Sequence, residues 1–138
     1  MSVDLSKPVL VVEDSRTMGQ IMRNLLLLIG FRQVENVADV TTALTRLRAR
    51  NFGLVISDWN MQPVTGQVLL EMVRADKILK RLPIIVVTAE SDLATVRAAK
   101  DAGANSYIVK PFSGETLKQK IAEVLASEAG NGAVVPLN

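Results

Sequence analysis

Five side chains capable of polar chemistry follow short apolar runs in this sequence. Glu13 and Asp14 come after "VLVV", Asp58 after "LVIS", Thr88 after "IIVV" and Lys110 after "YIV". Three carboxylates gathered at one place repel one another and resist ionisation. One divalent cation and one lysine neutralise them, so the set suits a hard metal ion. Mg²⁺ fits best, because it keeps several waters and needs few carboxylates. A cation held there, with Lys110, offsets the charge of a phosphoryl group. Asp58 then acts as a carboxylate nucleophile forming an aspartyl phosphate, while Thr88 and Lys110 donate hydrogen bonds to the phosphoryl oxygens.

Each of these residues also has an ordinary explanation. An aspartate at a strand end is commonly a turn residue or a helix N-cap, and Asp14 before "SRTMGQIMRNLL" fits that role. Lys110 reads as a solvated charge and Thr88 as a cap for the next helix. Their joint placement is harder to dismiss, since 96 residues separate Asp14 from Lys110.

The elements that must position them follow from the apolar pattern. "PVLVV" (8–12), "NFGLVIS" (51–57), "LPIIVVT" (82–88) and "SYIVK" (106–110) read as strands buried on both faces, with a weaker strand at "VENVA" (34–38). Helical spacing links Met18, Ile21, Met22, Leu25 and Leu28, then Val40, Ala43, Leu44 and Leu47. It recurs at Val68, Leu69, Met72 and Val73, and at Leu117, Ile121, Val124 and Leu125. Residues 91–102, capped by Ser91 or Asp92, form a thinly anchored helix whose apolar face is mostly alanine with Leu93 and Val96. Its simplest reading is a small-residue packing face.

Strand and helix alternate five times, so the strands pair in parallel and the helices cross over on both faces. The expected fold is a three-layer α/β domain whose ligands sit beyond the carboxyl ends of the strands. Residues 1–6 read as an N-terminal extension, 7–127 as the domain, and 128–138 as a loose C-terminal tail.

Bulk composition excludes several classes. The 138 residues suffice for one domain, and 49% hydrophobic with 22% charged residues is a globular balance. There is no cysteine and no histidine, which removes disulfides, thiolate metal sites and the commonest general base. A metal must be held by oxygen, leaving Mg²⁺, Mn²⁺ or Ca²⁺. The longest apolar run, Leu25 to Ile29, is far below the ~20 residues of a bilayer span. "MSVDLSK" carries no export signal, so a cytoplasmic protein with no membrane partner is expected. The net charge of +2, without a basic run, argues against nucleic acid as the main partner.

In order along the chain, "VVEDS" (11–15), "SDWNM" (57–61), "VVTAE" (86–90) and "YIVKPF" (107–112) resemble the two-component response-regulator receiver domains. The likeness covers roughly residues 7 to 127. It is strongest to the chemotaxis members, through "RTM", "FGLVISDWNM", "RADK", "LPIIVVTAE" and "KPF". It implies a flavodoxin-like, five-stranded parallel sheet of order 2-1-3-4-5 flanked by five helices.

The resemblance also implies roles. Asp58 is the phosphoacceptor, served by a sensor histidine kinase of the chemotaxis (CheA) type or by a small acyl phosphate. Mg²⁺, with Mn²⁺ as a substitute, is bound by Asp14, Asp58 and the Asn60 backbone carbonyl, and by Glu13 through a water. Lys110 contacts the phosphoryl group, and the Lys110–Pro111 bond is cis. Thr88 and Tyr107 form a switch pair, and Asn60 and Glu90 tune dephosphorylation towards a short-lived signal. The chain catalyses its own phosphorylation and dephosphorylation as a signalling switch rather than a metabolic enzyme. It acts as a monomer on a downstream protein, the flagellar motor switch being the first expectation. A phosphate sink or an adaptor in another two-component pathway is the alternative.

Three departures stand out against the chemotaxis members. Glu13 replaces an aspartate, as in many receivers. "MQPVTG" (61–66) displaces a proline by one and puts Thr65 where aspartate is usual. Asp92 stands in place of a lysine on the surface that receivers present to targets. Two rivals fare worse. An aspartyl-phosphate phosphatase of the haloacid-dehalogenase type needs an Asp-x-Asp after the first strand, where this chain has "EDS". A flavin binder needs a hydroxyl- and glycine-rich phosphate loop, and "EDSRTMG" places two negative charges there.

Overall fold

The structure, a computed structural model, describes residues 4–128. The loose tail expected over 128–138 lies outside the described residues from 129 onward, as do residues 1–3 of the N-terminal extension. Strand and helix alternate as the apolar runs require: β1 (Val9–Val12), α1 (Arg16–Ile29), β2 (Val34–Val37), α2 (Val40–Ala49), β3 (Leu54–Asp58), α3 (Gly66–Ala75), β4 (Ile84–Thr88), α4 (Leu93–Asp101), β5 (Ser106–Val109) and α5 (Gly114–Glu128). All strands pair in parallel in the order β2-β1-β3-β4-β5.

Alternation along each strand sends side chains to two cores. Leu10, Val12, Val55, Ile84 and Val86 pack under α2, α3 and α4. Val9, Val11, Leu54, Ile56, Ile85 and Val87 pack under α1 and α5. This two-sided cover explains why β1, β3 and β4 are apolar at nearly every position and buried throughout. The expectation that "SYIVK" is buried on both faces fails. β5 is an edge strand, only Ile108 on it is buried, and Tyr107 is 36% exposed.

The α1 stripe is also rotated from the expected one. Gly19, Met22 and Leu26 face inward, whereas Leu28 is 83% exposed and Ile21 is 45% exposed. The run "LLLLI" puts leucine on every side of the helix, so spacing alone does not choose among them. In α3, Leu70 takes the buried place expected for Met72. The thin anchoring of α4 is seen directly: Ala99 is its single buried residue and Leu93 is exposed.

Side-chain caps set where the five helices begin. Ser15, Asp39, Thr65, Asp92 and Ser113 accept from the backbone N–H groups of Met18, Thr42, Val68, Thr95 and Thr116. Asp14 is therefore not a cap, Thr88 is not one either, and of Ser91 and Asp92 it is Asp92 that caps α4. Thr65 does the capping in the departing "MQPVTG" loop. Gly66 beside it donates its N–H to the Trp59 carbonyl at 3.1 Å. A Cβ at Gly66 would stand 2.2 Å from the Asp58 carbonyl oxygen and 3.0 Å from Trp59 Cα. The end of β3 is thus pressed against the start of α3 by backbone on both sides. Gly66→Ala is expected to lower the unfolding free energy by about 1–3 kcal/mol and to shift the Asp58 and Trp59 amide resonances. An unchanged urea midpoint with unchanged resonances contradicts that packing.

Candidate functional site

Parallel pairing puts the carboxyl ends of all five strands on one edge, and the acidic residues meet there. Asp58, the last residue of β3, pairs in register with Val87 of β4. Glu13 and Asp14 directly follow β1, the neighbour of β3 on the other side. Glu13, Asp14 and Asp58 each offer a carboxylate oxygen within 4.8 Å of the others. From beyond β5, Lys110 reaches in, its Nζ 3.4 Å from Glu13 Oε1 and 3.5 Å from Asp58 Oδ1. The Lys110 backbone is held by donation from its N–H to the Thr88 carbonyl at 2.7 Å. The Lys110–Pro111 bond is cis, and so is Gln62–Pro63.

Burial gives this cluster its strength. Asp58 is 6% exposed. Met18, Met22 and Phe112 line the apolar side of a small cavity that reaches Glu13, Asp58 and Lys110. Charges against such a wall interact more strongly than in water. Burial pushes the Glu13 carboxyl above the ordinary glutamate range. The Ser15 N–H, which donates to Glu13 Oε2 at 3.0 Å, pulls it back, the Asp58 charge raises it and Lys110 lowers it. An all-oxygen donor set with clustered charge fits a small hard cation that keeps some waters. A softer metal finds no imidazole or thiolate ligand, since the chain has neither histidine nor cysteine.

A second group of polar side chains adjoins the first. The Asn60 backbone N–H donates to Asp58 Oδ1 at 3.3 Å. Thr88, 2% exposed, donates from Oγ1 to Asn60 Oδ1 at 3.2 Å and accepts from the Glu90 N–H at 3.0 Å. Asn60 Nδ2 donates to Glu90 Oε1 at 3.2 Å. Asn60, Thr88 and Glu90 therefore form one hydrogen-bonded unit against the carboxylate cluster. Tyr107 stands apart from both: its ring lies outward on β5 with Lys120 Nζ 5.4 Å from its centroid.

Sequence reasoning overlooked three participants. The Ser15 N–H bond to Glu13 carries no side-chain signal. Lys120 is far from Tyr107 in sequence, and only the packing of α5 against β5 brings them together. Thr95, whose Oγ1 donates to Glu90 Oε2 at 2.9 Å, was visible in principle, because "DLAT" has the spacing of a capped first turn. A hollow of about 660 Å³ lies at the opposite, amino end of the sheet, lined by Phe31, Leu47 and Phe52 among others. None of the site residues borders it. No described helix is long and apolar enough to cross a membrane.

Residues 9–122 match the family described as the response regulator receiver domain. The chain is 45% identical over 116 residues to the chemotaxis protein CheY of Pseudomonas aeruginosa, covering 84% of this chain and 94% of that protein. The structure of the chemotaxis response regulator CheY4 of Vibrio cholerae superposes with a TM-score of 0.81 at 34% identity, over 87% of this chain and 99% of that one. The receiver domain of a Pseudomonas aeruginosa sensor histidine kinase superposes with a TM-score of 0.79 at 25% identity, over 87% and 98% of the two chains. That domain holds a magnesium ion coordinated in its active site cleft.

The raised Glu13 value has a consequence for stability. Without a divalent cation, the folded chain holds the Glu13 proton more tightly than the unfolded chain does. The Glu13 contribution to stability is then fully present below the unfolded glutamate value and is lost as pH rises through the raised one. Glu35, Asp39 and Asp76, held below their ordinary values by hydrogen bonds, act in the opposite sense at acid pH. Urea unfolding in EDTA from about pH 4 to about pH 8 should therefore show wild type losing stability relative to Glu13→Gln as pH rises, and Mg²⁺ should offset that loss. Equal slopes in the two proteins contradict the assigned electrostatics.

Proposed function

The chain belongs to the response regulator receiver family, and on that premise we propose that it is a CheY-type switch phosphorylated on Asp58. One observation carries the reading: a buried aspartate at a strand end has a lysine ammonium at 3.5 Å and two further carboxylates within 4.8 Å. A carboxylate so placed is costly as a structural residue and useful as a nucleophile.

The transfer follows from these groups. Asp58 attacks phosphorus with a carboxylate oxygen. The bond from phosphorus to the imidazole nitrogen of a phosphohistidine, or to the carboxylate oxygen of an acyl phosphate, breaks, and its electron pair stays with the departing group. Asp14, Asp58, the Asn60 carbonyl and, through a water, Glu13 would hold Mg²⁺, which when bound neutralises charge on the phosphoryl oxygens. Lys110, shared between Glu13 and Asp58 at rest, turns to a phosphoryl oxygen. Hydrolysis reverses the change when water attacks the acyl phosphate and releases inorganic phosphate, with Asn60 and Glu90 beside the path.

The switch lies in Thr88. A hydroxyl has one proton, and at rest Thr88 gives it to Asn60. Giving it to the phosphoryl group instead frees Asn60 and opens space towards β5, into which the Tyr107 ring turns. Coupling of this kind amounts to ~1–3 kcal/mol, or about 5- to 150-fold in target affinity. The names of the relatives favour a chemotaxis pathway, with a CheA-type histidine kinase as donor and the flagellar motor switch as target. The protein then works as a cytoplasmic monomer.

Trp59, beside the nucleophile and 8% exposed, reports on the site. Its fluorescence should change on adding Mg²⁺ and again on adding acetyl phosphate. Asp58→Asn should lose the second response and show no phosphoryl adduct by mass spectrometry while keeping its circular dichroism. Lys110→Ala should slow loading by about 10²–10³-fold. Phosphoryl gain by the Asp58→Asn protein overturns the proposal.

A further inference from the structure

The hydrogen bonds beyond Asn60 lead out of the site and into α4. Glu90 takes the Asn60 Nδ2 donation on Oε1 at 3.2 Å and the Thr95 hydroxyl on Oε2 at 2.9 Å. Thr95 is half-buried in the first turn of α4, the helix that buries only Ala99. Its hydroxyl also lies 2.8 Å from Asp92 Oδ1, and its backbone N–H donates to Asp92 Oδ2 at 3.2 Å. The hydroxyl has a single proton, for which two carboxylates compete. Asp92 keeps its backbone bond when the proton goes to Glu90, so the helix cap survives either choice.

We propose that Thr95 is a positioning residue of the phosphoacceptor site, holding Glu90 so that Asn60 presents its amide oxygen to Thr88 and the resting arrangement is favoured. The proposal rests on the reading of Asp58 as phosphoacceptor. A carboxylate only accepts hydrogen bonds, so Glu90 must face the NH₂ side of Asn60, and the amide oxygen is then turned to Thr88. As long as the Thr88 proton is committed there, it is not available to a phosphoryl oxygen. A group that stiffens Glu90 therefore opposes the active arrangement. Because Thr95 sits on α4, the first turn of that helix is tied to the same equilibrium.

The chain offers a direct test with Thr95→Val, which removes the hydroxyl and keeps the shape, and Thr95→Ser, which keeps the hydroxyl. In metal-free protein without phosphodonor, Thr95→Val should shift the Asn60 side-chain amide and Thr88 resonances, and Thr95→Ser should leave them near wild type. With Mg²⁺ and BeF₃⁻ as the phosphoryl mimic, Thr95→Val should bind the mimic about two- to tenfold more tightly, the range expected for one hydrogen bond, and Thr95→Ser should match wild type. Unmoved Asn60 resonances in Thr95→Val overturn the proposal, as does a serine variant that behaves like the valine one. If BeF₃⁻ perturbs none of the three proteins, the phosphoacceptor reading fails, and the Asn60 resonances still decide the role of Thr95.

Discussion

Lys110 Nζ stands 3.4 Å from Glu13 Oε1 and 3.5 Å from Asp58 Oδ1, and the acidic rim depends on this shared ammonium. Three carboxylates crowded at one edge repel one another, and the apolar wall behind them strengthens that repulsion. One lysine relieves part of it, and a hard divalent cation would relieve the rest. A site of this kind is underneutralised by construction. Such an edge would take an anionic group more readily once further positive charge is bound, the order that the proposed phosphoryl acceptance requires.

The same underneutralised edge is wired to a surface. Asn60 touches Asp58 through its backbone and Thr88 and Glu90 through its side chain. Asn60 is one hydrogen bond from Asp58, and Thr88 is two, through the Asn60 side chain. Beyond them, two elements are weakly held. β5 is an edge strand whose Tyr107 lies outward under Lys120, and α4 is anchored mainly by Ala99. Elements with few buried apolar contacts move at low cost. Rigid central strands thus stand beside loosely packed elements, α4 because its apolar face is mostly alanine and β5 because of its place at the edge of the sheet.

Much of this was legible in the residues. The apolar runs located five strands to within a few residues, because the central ones are covered on both faces and contain little else. Val40, Ala43, Leu44 and Leu47 lie buried as their spacing implied, and the acidic and basic strand ends converge. The failures have definite causes. "LLLLI" offers leucine on every side of α1, so periodicity could not show that Leu26 is inside and Leu28 outside. "SYIVK" looked like its central neighbours, yet an edge position is a property of sheet order rather than of composition.

The amino-acid sequence by itself determined the element order, the parallel pairing and which side chains stand at the strand ends, since these follow from local periodicity and from the helix between every two strands. Tertiary structure alone decided the rest. It set which carboxylates share Lys110, that Ser15 and not Asp14 caps α1, and that Thr95 of α4 joins Glu90 and Asn60. Such contacts link residues far apart along the chain, or depend on the aim of a flexible side chain. Spacing along a sequence carries no information on direction in space until the sheet has closed around it.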